Sequence, residues 1–151
     1  MKPRHRSTAE ALRFLMHDLQ GSLVEVPDQE ISAPEFLTRL SRECGCGILL
    51  DLHNVYVNSV NHRFTPESFL RDLDLSRVVE VHIAGGGHLL DFYSDSHSGP
   101  VAEPVWRLLE ETLRAAPWIR GVTFEFHESS YYLLRAEGIR AQLDHARAIS
   151  E

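Results

Sequence analysis

The chain has 151 residues, of which 43% are apolar, and a formal net charge of −7. That length fits one domain with a real core, and the acidic balance argues against nonspecific nucleic-acid binding, where a basic face supplies most of the affinity. No apolar run reaches the roughly 18 residues of a membrane span, Lys2, Arg4 and Arg6 precede no apolar signal core, and Cys44 and Cys46 make neither a disulfide framework nor a zinc motif, so a cytoplasmic chain is expected.

Helical and strand patterns alternate along the chain. Ser7 and Glu10 have capping-box spacing, and Leu12, Leu15, Met16 and Leu19 then mark one helical face. Leu23 to Val26 reads as a buried strand closed by Pro27. Ser32 with Glu35 is a second capping box, Pro34 lies in the first turn, Phe36, Leu37 and Leu40 continue the helix, and Gly45 ends it. Cys44 is expected to pack at that helix end. Gly47 to Leu52 reads as a second strand, and Thr65-Pro66 starts a short helix through Leu70. Val78 to Ala84 is a third strand, followed by Gly85-Gly86-Gly87, read as a mobile loop. Val105, Leu108, Leu109, Thr112 and Leu113 make an amphipathic helix. Gly121 to Phe126 is a fourth strand, and a last helix carries Ile139, Leu143, Ala146 and Ile149. This alternation predicts an α/β fold with parallel strands and crossover helices, a partial (β/α)8 TIM barrel of about four units over residues 1–151.

Metal-capable residues recur where the apolar runs end, and in a parallel barrel the strand C-termini share one mouth. Glu25 sits in an apolar strand, where a carboxylate needs a cation or an ion-pair partner. Asp51 and Asn54 lie a short turn apart, so both oxygens can reach one metal, or Asp51 can cap the turn. Alternation puts Glu80 and His82 on one side of their strand, with Val81 and Ile83 on the other; His82 is a ligand or a satisfied core histidine. Asp95 and His97, two apart in a Ser/Gly-rich loop, can straddle a metal. Glu125 ends the fourth strand facing inward, and His127 and Glu128 fit the rim. Hard and borderline donors gathered this way indicate a metal site. A Ser nucleophile elbow, a phosphate-cradling glycine motif and His-Glu-x-x-His are all missing from the sequence.

The stretch Cys44 to Asn58, continued by Asn61-His62, together with Arg77 to Gly85 and Asp95-Ser96-His97, closely resembles the multinuclear non-heme iron-dependent oxidative enzymes. The similarity runs over nearly the whole chain. It implies a xylose-isomerase-like TIM barrel holding two or three irons and using dioxygen to modify ribosomally made precursor peptides, often at cysteine, and often with a partner protein that presents the peptide. Carried over by motif, it makes Glu25, Asp51, Asn54, His82, Asp95, His97 and Glu125 the metal ligands. His53 stands where the family usually has Asn, and Gly86 where it has a histidine.

The family domain is nearly twice this length, so the resemblance implies that the chain is its C-terminal half. The first three strands and their two ligand histidines would come from a complementary N-terminal half or a second copy of the chain. Exposed sheet edges would then favour homo-oligomerisation or aggregation. Two other readings stay open: a catalytically inactive truncated homologue that binds a peptide or protein, and a Mn- or Zn-dependent isomerase or hydrolase on the same barrel type.

Overall fold

The computed structural model describes residues 31–151. The first capping box, the helix through Leu19 and the strand Leu23 to Val26 with Glu25 lie outside the described residues.

Helix α1 (Ala33–Cys44) begins at Ser32, whose hydroxyl accepts from the Glu35 N–H at 3.4 Å, with Pro34 in the first turn. The box is only half made, since Glu35 turns its carboxylate to Arg39 instead. Gly45, at φ 66, takes the left-handed cap position, which glycine adopts without a Cβ penalty. Arg77 then clamps the helix end: its guanidinium donates to the Ser41 and Cys46 carbonyls at 2.9 Å each. Cys44 is exposed, contrary to the expectation that it packs at the helix end.

Strand β1 (Ile48–Asp51) leads directly into helix α2 (Leu52–His62), so the predicted strand end at Leu52 is the first residue of a helix. Helix α3 (Pro66–Asp72) and a single 3-10 turn, Leu75–Arg77, precede β2 (Val78–Ala84). A hairpin follows, β3 (Gly87–Leu89) with β4 (Phe92–Ser94). Helix α4 (Glu103–Ala115), β5 (Val122–Glu125) and α5 (Tyr131–Ser150) complete the order, with α5 broken at Arg135, where φ is 52.

The main sheet is parallel, ordered β1-β2-β5. Helices connect its strands, as parallel pairing requires. Central β2 buries Val78, Val81 and Ile83 completely, side chains worth about 1.5–3 kcal/mol each. They pack with Ile48 and Leu50 of β1, Leu52 and Val55 of α2, and Val105, Leu108 and Leu109 of α4. The register places Asp51 beside His82 and Ala84 beside Glu125, so all three strands deliver their C-terminal residues to one edge of the sheet.

The Gly85-Gly86-Gly87 segment is a packed connection, not the mobile loop its composition suggested. A Cβ on Gly85 would strike the carbonyl oxygens of Gly99 and Pro100, one on Gly86 would strike that of Ser94, and Gly87 starts β3. Among the described residues no helix is long and apolar enough to cross a membrane.

Candidate metal centre

Asp51 has two structural tasks. As the N-cap of α2, its Oδ1 accepts from the Asn54 N–H at 3.0 Å, while Oδ2 accepts from the Asn54 side-chain amide at 3.1 Å. The capping and ligating readings therefore do not compete, because the cap fixes the two side chains that would share an ion. Fixing the Asn54 amide this way leaves its Oδ1 buried with no hydrogen-bond partner among the described residues. An orphaned buried acceptor costs about 1–3 kcal/mol. Burial pushes the Asp51 carboxyl up to about 6; the Asn54 N–H opposes the rise, and the nearby Asp95 and Glu125 charges add to it.

His82, next to Asp51 across the sheet, is held at both ring nitrogens. Nδ1 lies 2.7 Å from Glu125 Oε1 and Nε2 lies 3.1 Å from Glu80 Oε1. Glu80 Oε1 also accepts from Thr123 Oγ1 on β5 at 2.9 Å. The expected alternation holds, with Glu80 and His82 on one side of β2. Burial alone would lower the His82 pKa, but the hydrogen bonds and charges of Glu125 and Glu80 outweigh it, and the pKa is raised.

Asp95 and His97 come from the loop after β4. His97 Nε2 lies 2.9 Å from Asp95 Oδ1 and Nδ1 lies 3.5 Å from Glu125 Oε2. The hydrogen bond with Asp95 raises the His97 pKa against a smaller lowering by burial. The loop is pinned on two sides: the Ser98 N–H donates to the Gly85 carbonyl at 2.8 Å, and the His127 N–H donates to the His97 carbonyl at 2.7 Å. His97 itself has φ 46, the kind of strain that non-glycine residues hold at functional sites. The hairpin that launches the loop is fixed to α2 by two bonds between Asn61 and the Tyr93 backbone, at 2.8 and 2.9 Å.

His53 completes the surroundings. Its ring is fully buried on the first turn of α2, and neither nitrogen has a hydrogen-bond partner among the described residues. Nε2 approaches Asp95 Oδ1 to 3.3 Å. Burial drives its pKa down to about 4, so the ring is neutral at pH 7. Two of the positions at which the chain departs from the resemblance are neighbours: a Cβ on Gly86 would sit 2.9 Å from His53 Cε1 and Nε2.

Asp51, His97 and Glu125 each bring one ligand atom within 4.8 Å of the others and can together hold a metal ion. Asn54, His82 and Asp95 adjoin this group. Glu25 is the one expected ligand outside the described residues. With Glu80 included, four carboxylates face three imidazoles, an excess of negative charge in a largely buried volume that suits a cation. Sequence reasoning did not assign Glu80 as the brace of His82, although their spacing of two on one strand face was its signal. His127 and Glu128 lie outside the group; His127 caps the short 3-10 turn Glu128–Ser130.

The profile of a family described as "RiPP precursor modification enzyme MbnB/TglH/ChrH" matches residues 9–149. A UPF0276 protein of Chromobacterium violaceum is 34% identical over 137 residues, covering 89% of this chain and 50% of that protein. A UPF0276 protein of Bordetella pertussis is 44% identical over 98 residues, covering 62% of this chain and 34% of that protein. One from Shewanella loihica is 43% identical over 84 residues, 55% of this chain and 30% of that protein. The chain spans about half the length of the curated relatives it matches. With a match over 9–149 and donors gathered at the strand ends, this chain belongs to the MbnB/TglH/ChrH family of RiPP precursor modification enzymes.

Proposed function

We propose that this chain forms most of the metal centre of an iron-dependent oxidative enzyme that modifies a ribosomally made precursor peptide, at cysteine, with dioxygen as co-substrate. In this reading it is the C-terminal half of a TIM barrel and works with a complementary half or partner protein. The observation that carries the proposal is the buried Asn54 Oδ1, left without a hydrogen-bond partner among the described residues, beside the Asp51, His97 and Glu125 donors. The donor chemistry, carboxylate and imidazole with a neutral amide oxygen, suits iron.

Asp51, Asn54, His82, Asp95, His97 and Glu125 would hold the metal, with Glu25 as a seventh ligand. Bound iron would supply dioxygen activation and a place for a substrate thiolate. The chain's own residues supply order. Asp51 presents the Asn54 oxygen by holding the amide nitrogen. Glu80 Oε1 accepts from the His82 Nε2–H, and with a metal bound this would leave Nδ1, on the Glu125 side, as the ligating nitrogen. A partner of this kind fixes the tautomer and orientation of a ligating imidazole. The buried residues around the start of α2 exclude water from Asp51 and Asn54, which strengthens charge interactions there.

The test is iron content after anaerobic purification of the full chain, followed by incubation with precursor peptides and dioxygen. Bound iron that is lost in Asp51→Ala and Glu125→Ala is the expected result. A chain that binds no iron, alone or with candidate complementary halves, overturns the proposal. Peptide capture without iron would instead support the inactive binding-module reading.

A further inference from the structure

We propose that His53 is a further metal ligand of this centre, binding through Nε2 on the side of Asp95 and His97. The inference rests on the metal-centre reading above and adds a ligand to it. Three observations converge. First, the ring is completely buried, yet neither nitrogen has a hydrogen-bond partner among the described residues. A histidine serving only as core filler would leave two polar atoms unsatisfied, which native interiors avoid. Second, Nε2 lies 3.3 Å from Asp95 Oδ1 without forming a hydrogen bond, and the same oxygen lies 2.9 Å from His97 Nε2. Two donors that share one ion through bonds of about 2.1 Å at right angles lie about 3 Å apart, so both separations suit donors of one ion. Third, the fold keeps the ring's place clear. A Cβ at Gly86 would press on His53 Nε2 and Cε1, at 2.9 Å each, and on the Ser94 carbonyl oxygen.

The position of His53 on α2 follows from the same cap that sets Asp51 and Asn54. Residues 51, 53 and 54 leave the end of β1 within a single helical turn. A neutral imidazole carries the lone pair that ligation requires. His53 would thus supply the Asp95–His97 side of the centre with a second nitrogen donor, where the rest of the cluster is mainly oxygen.

The experiment uses the full chain with Zn(II) and Mn(II) alone as probes. In the unaltered Zn(II)-loaded chain, assigned histidine ring 15N shifts should place His53 Nε2 with the metal-bound nitrogens. In the Mn(II)-loaded chain, His53→Gln should remove one coupled imidazole nitrogen from the spin-echo spectrum and weaken Mn(II) binding at least tenfold. A His53 Nε2 with the shift of an unbound neutral ring, or an unchanged number of coupled nitrogens in His53→Gln, overturns the inference even if affinity falls. The 15N reading needs no variant and so stands even where His53→Gln does not fold. Failure of the unaltered chain to bind either metal would overturn the metal-centre reading and this inference together, whereas binding with an uninvolved His53 overturns only the inference.

Discussion

At the scale of single residues, the centre sets two buried groups against each other. Asp51 has its carboxyl raised to about 6 by burial, and His53 has its ring lowered to about 4 by burial. Their effects on stability have opposite signs in the metal-free chain. Between about pH 4 and 6 the native Asp51 keeps a proton that the unfolded chain has lost, so stability falls as pH rises, by about 3 kcal/mol in all. Over pH 6.5 down to 4 the unfolded chain takes up a proton that native His53 refuses, so stability falls as pH drops, by a similar amount of about 3 kcal/mol. In the unaltered chain the two slopes largely cancel. Separating them should expose each. Relative to the parent, metal-free Asp51→Asn should gain stability from pH 4.5 to 7, and His53→Gln should gain it from pH 7 to 4.5. Urea midpoints at those two pH values check this, and differences of the same sign in both variants would contradict it. His82 and His97 have raised pKa values, so their stabilisation is fully present below about pH 6.5 and is lost as pH rises through the folded values. Both variants share that loss above pH 6.5.

At the scale of elements, the centre depends on how tightly the loop after β4 lies against the end of β2. Gly85 is where the two meet: its carbonyl accepts from Ser98 N–H, and a Cβ there would collide with backbone oxygens of residues 98 to 100. Backbone cannot rotate aside as a side chain can. Gly85→Ala should therefore displace the segment carrying Asp95 and His97, lower stability by more than about 2 kcal/mol and weaken metal binding at least tenfold. Gly87→Ala, which meets nothing within 4 Å, should leave metal binding unchanged. Equal behaviour of the two variants in denaturation and metal titration would refute this account. The same contrast explains what could be read from the sequence. β2 and α4 follow clean periods of two and 3.6, one with buried Val81 and Ile83, the other with buried Val105, Leu108, Leu109 and Thr112. Helix α2 was not legible because it is buried on more than one side, against β2, α4 and β4; Val55, Val57 and Val60 then show no apolar stripe and imitate a strand. The strand-end ligands could be found because each ends an apolar run. The Glu80 brace and the burial of His53 arise from contacts across β5 and the β3-β4 hairpin, and such long-range neighbours have no local signal.

At the scale of the whole molecule, the described sheet ends in two edge strands, β1 and β5, and the relatives the chain matches are nearly twice as long. Every residue of β5 is only partly buried, although the strand is apolar at Val122 and Phe124 and carries a proposed ligand at Glu125. Beyond it, the last helix exposes Tyr131, Tyr132, Leu133 and Leu143. Tyr131 and Leu143 line one cleft with Ile139; exposed apolar surface of this kind marks an interaction face, and an open strand edge invites pairing with another chain. The chain by itself should therefore be a dimer or larger assembly, read as mass by light scattering at micromolar concentration. Leu133→Glu with Leu143→Glu should shift it toward the mass of one chain, because a charge at each of these exposed apolar positions opposes its burial. The metal donors lie on β1, α2, β2, β5 and the loop after β4, and none lies on α5 with the substituted side chains, so the variant should retain metal whenever the cluster assembles within one chain. If metal is lost together with the assembly, the centre is completed across copies. A monodisperse single-chain mass for the unaltered protein would show that these faces are not interfaces and would turn the search for a complementary half toward the β1 edge.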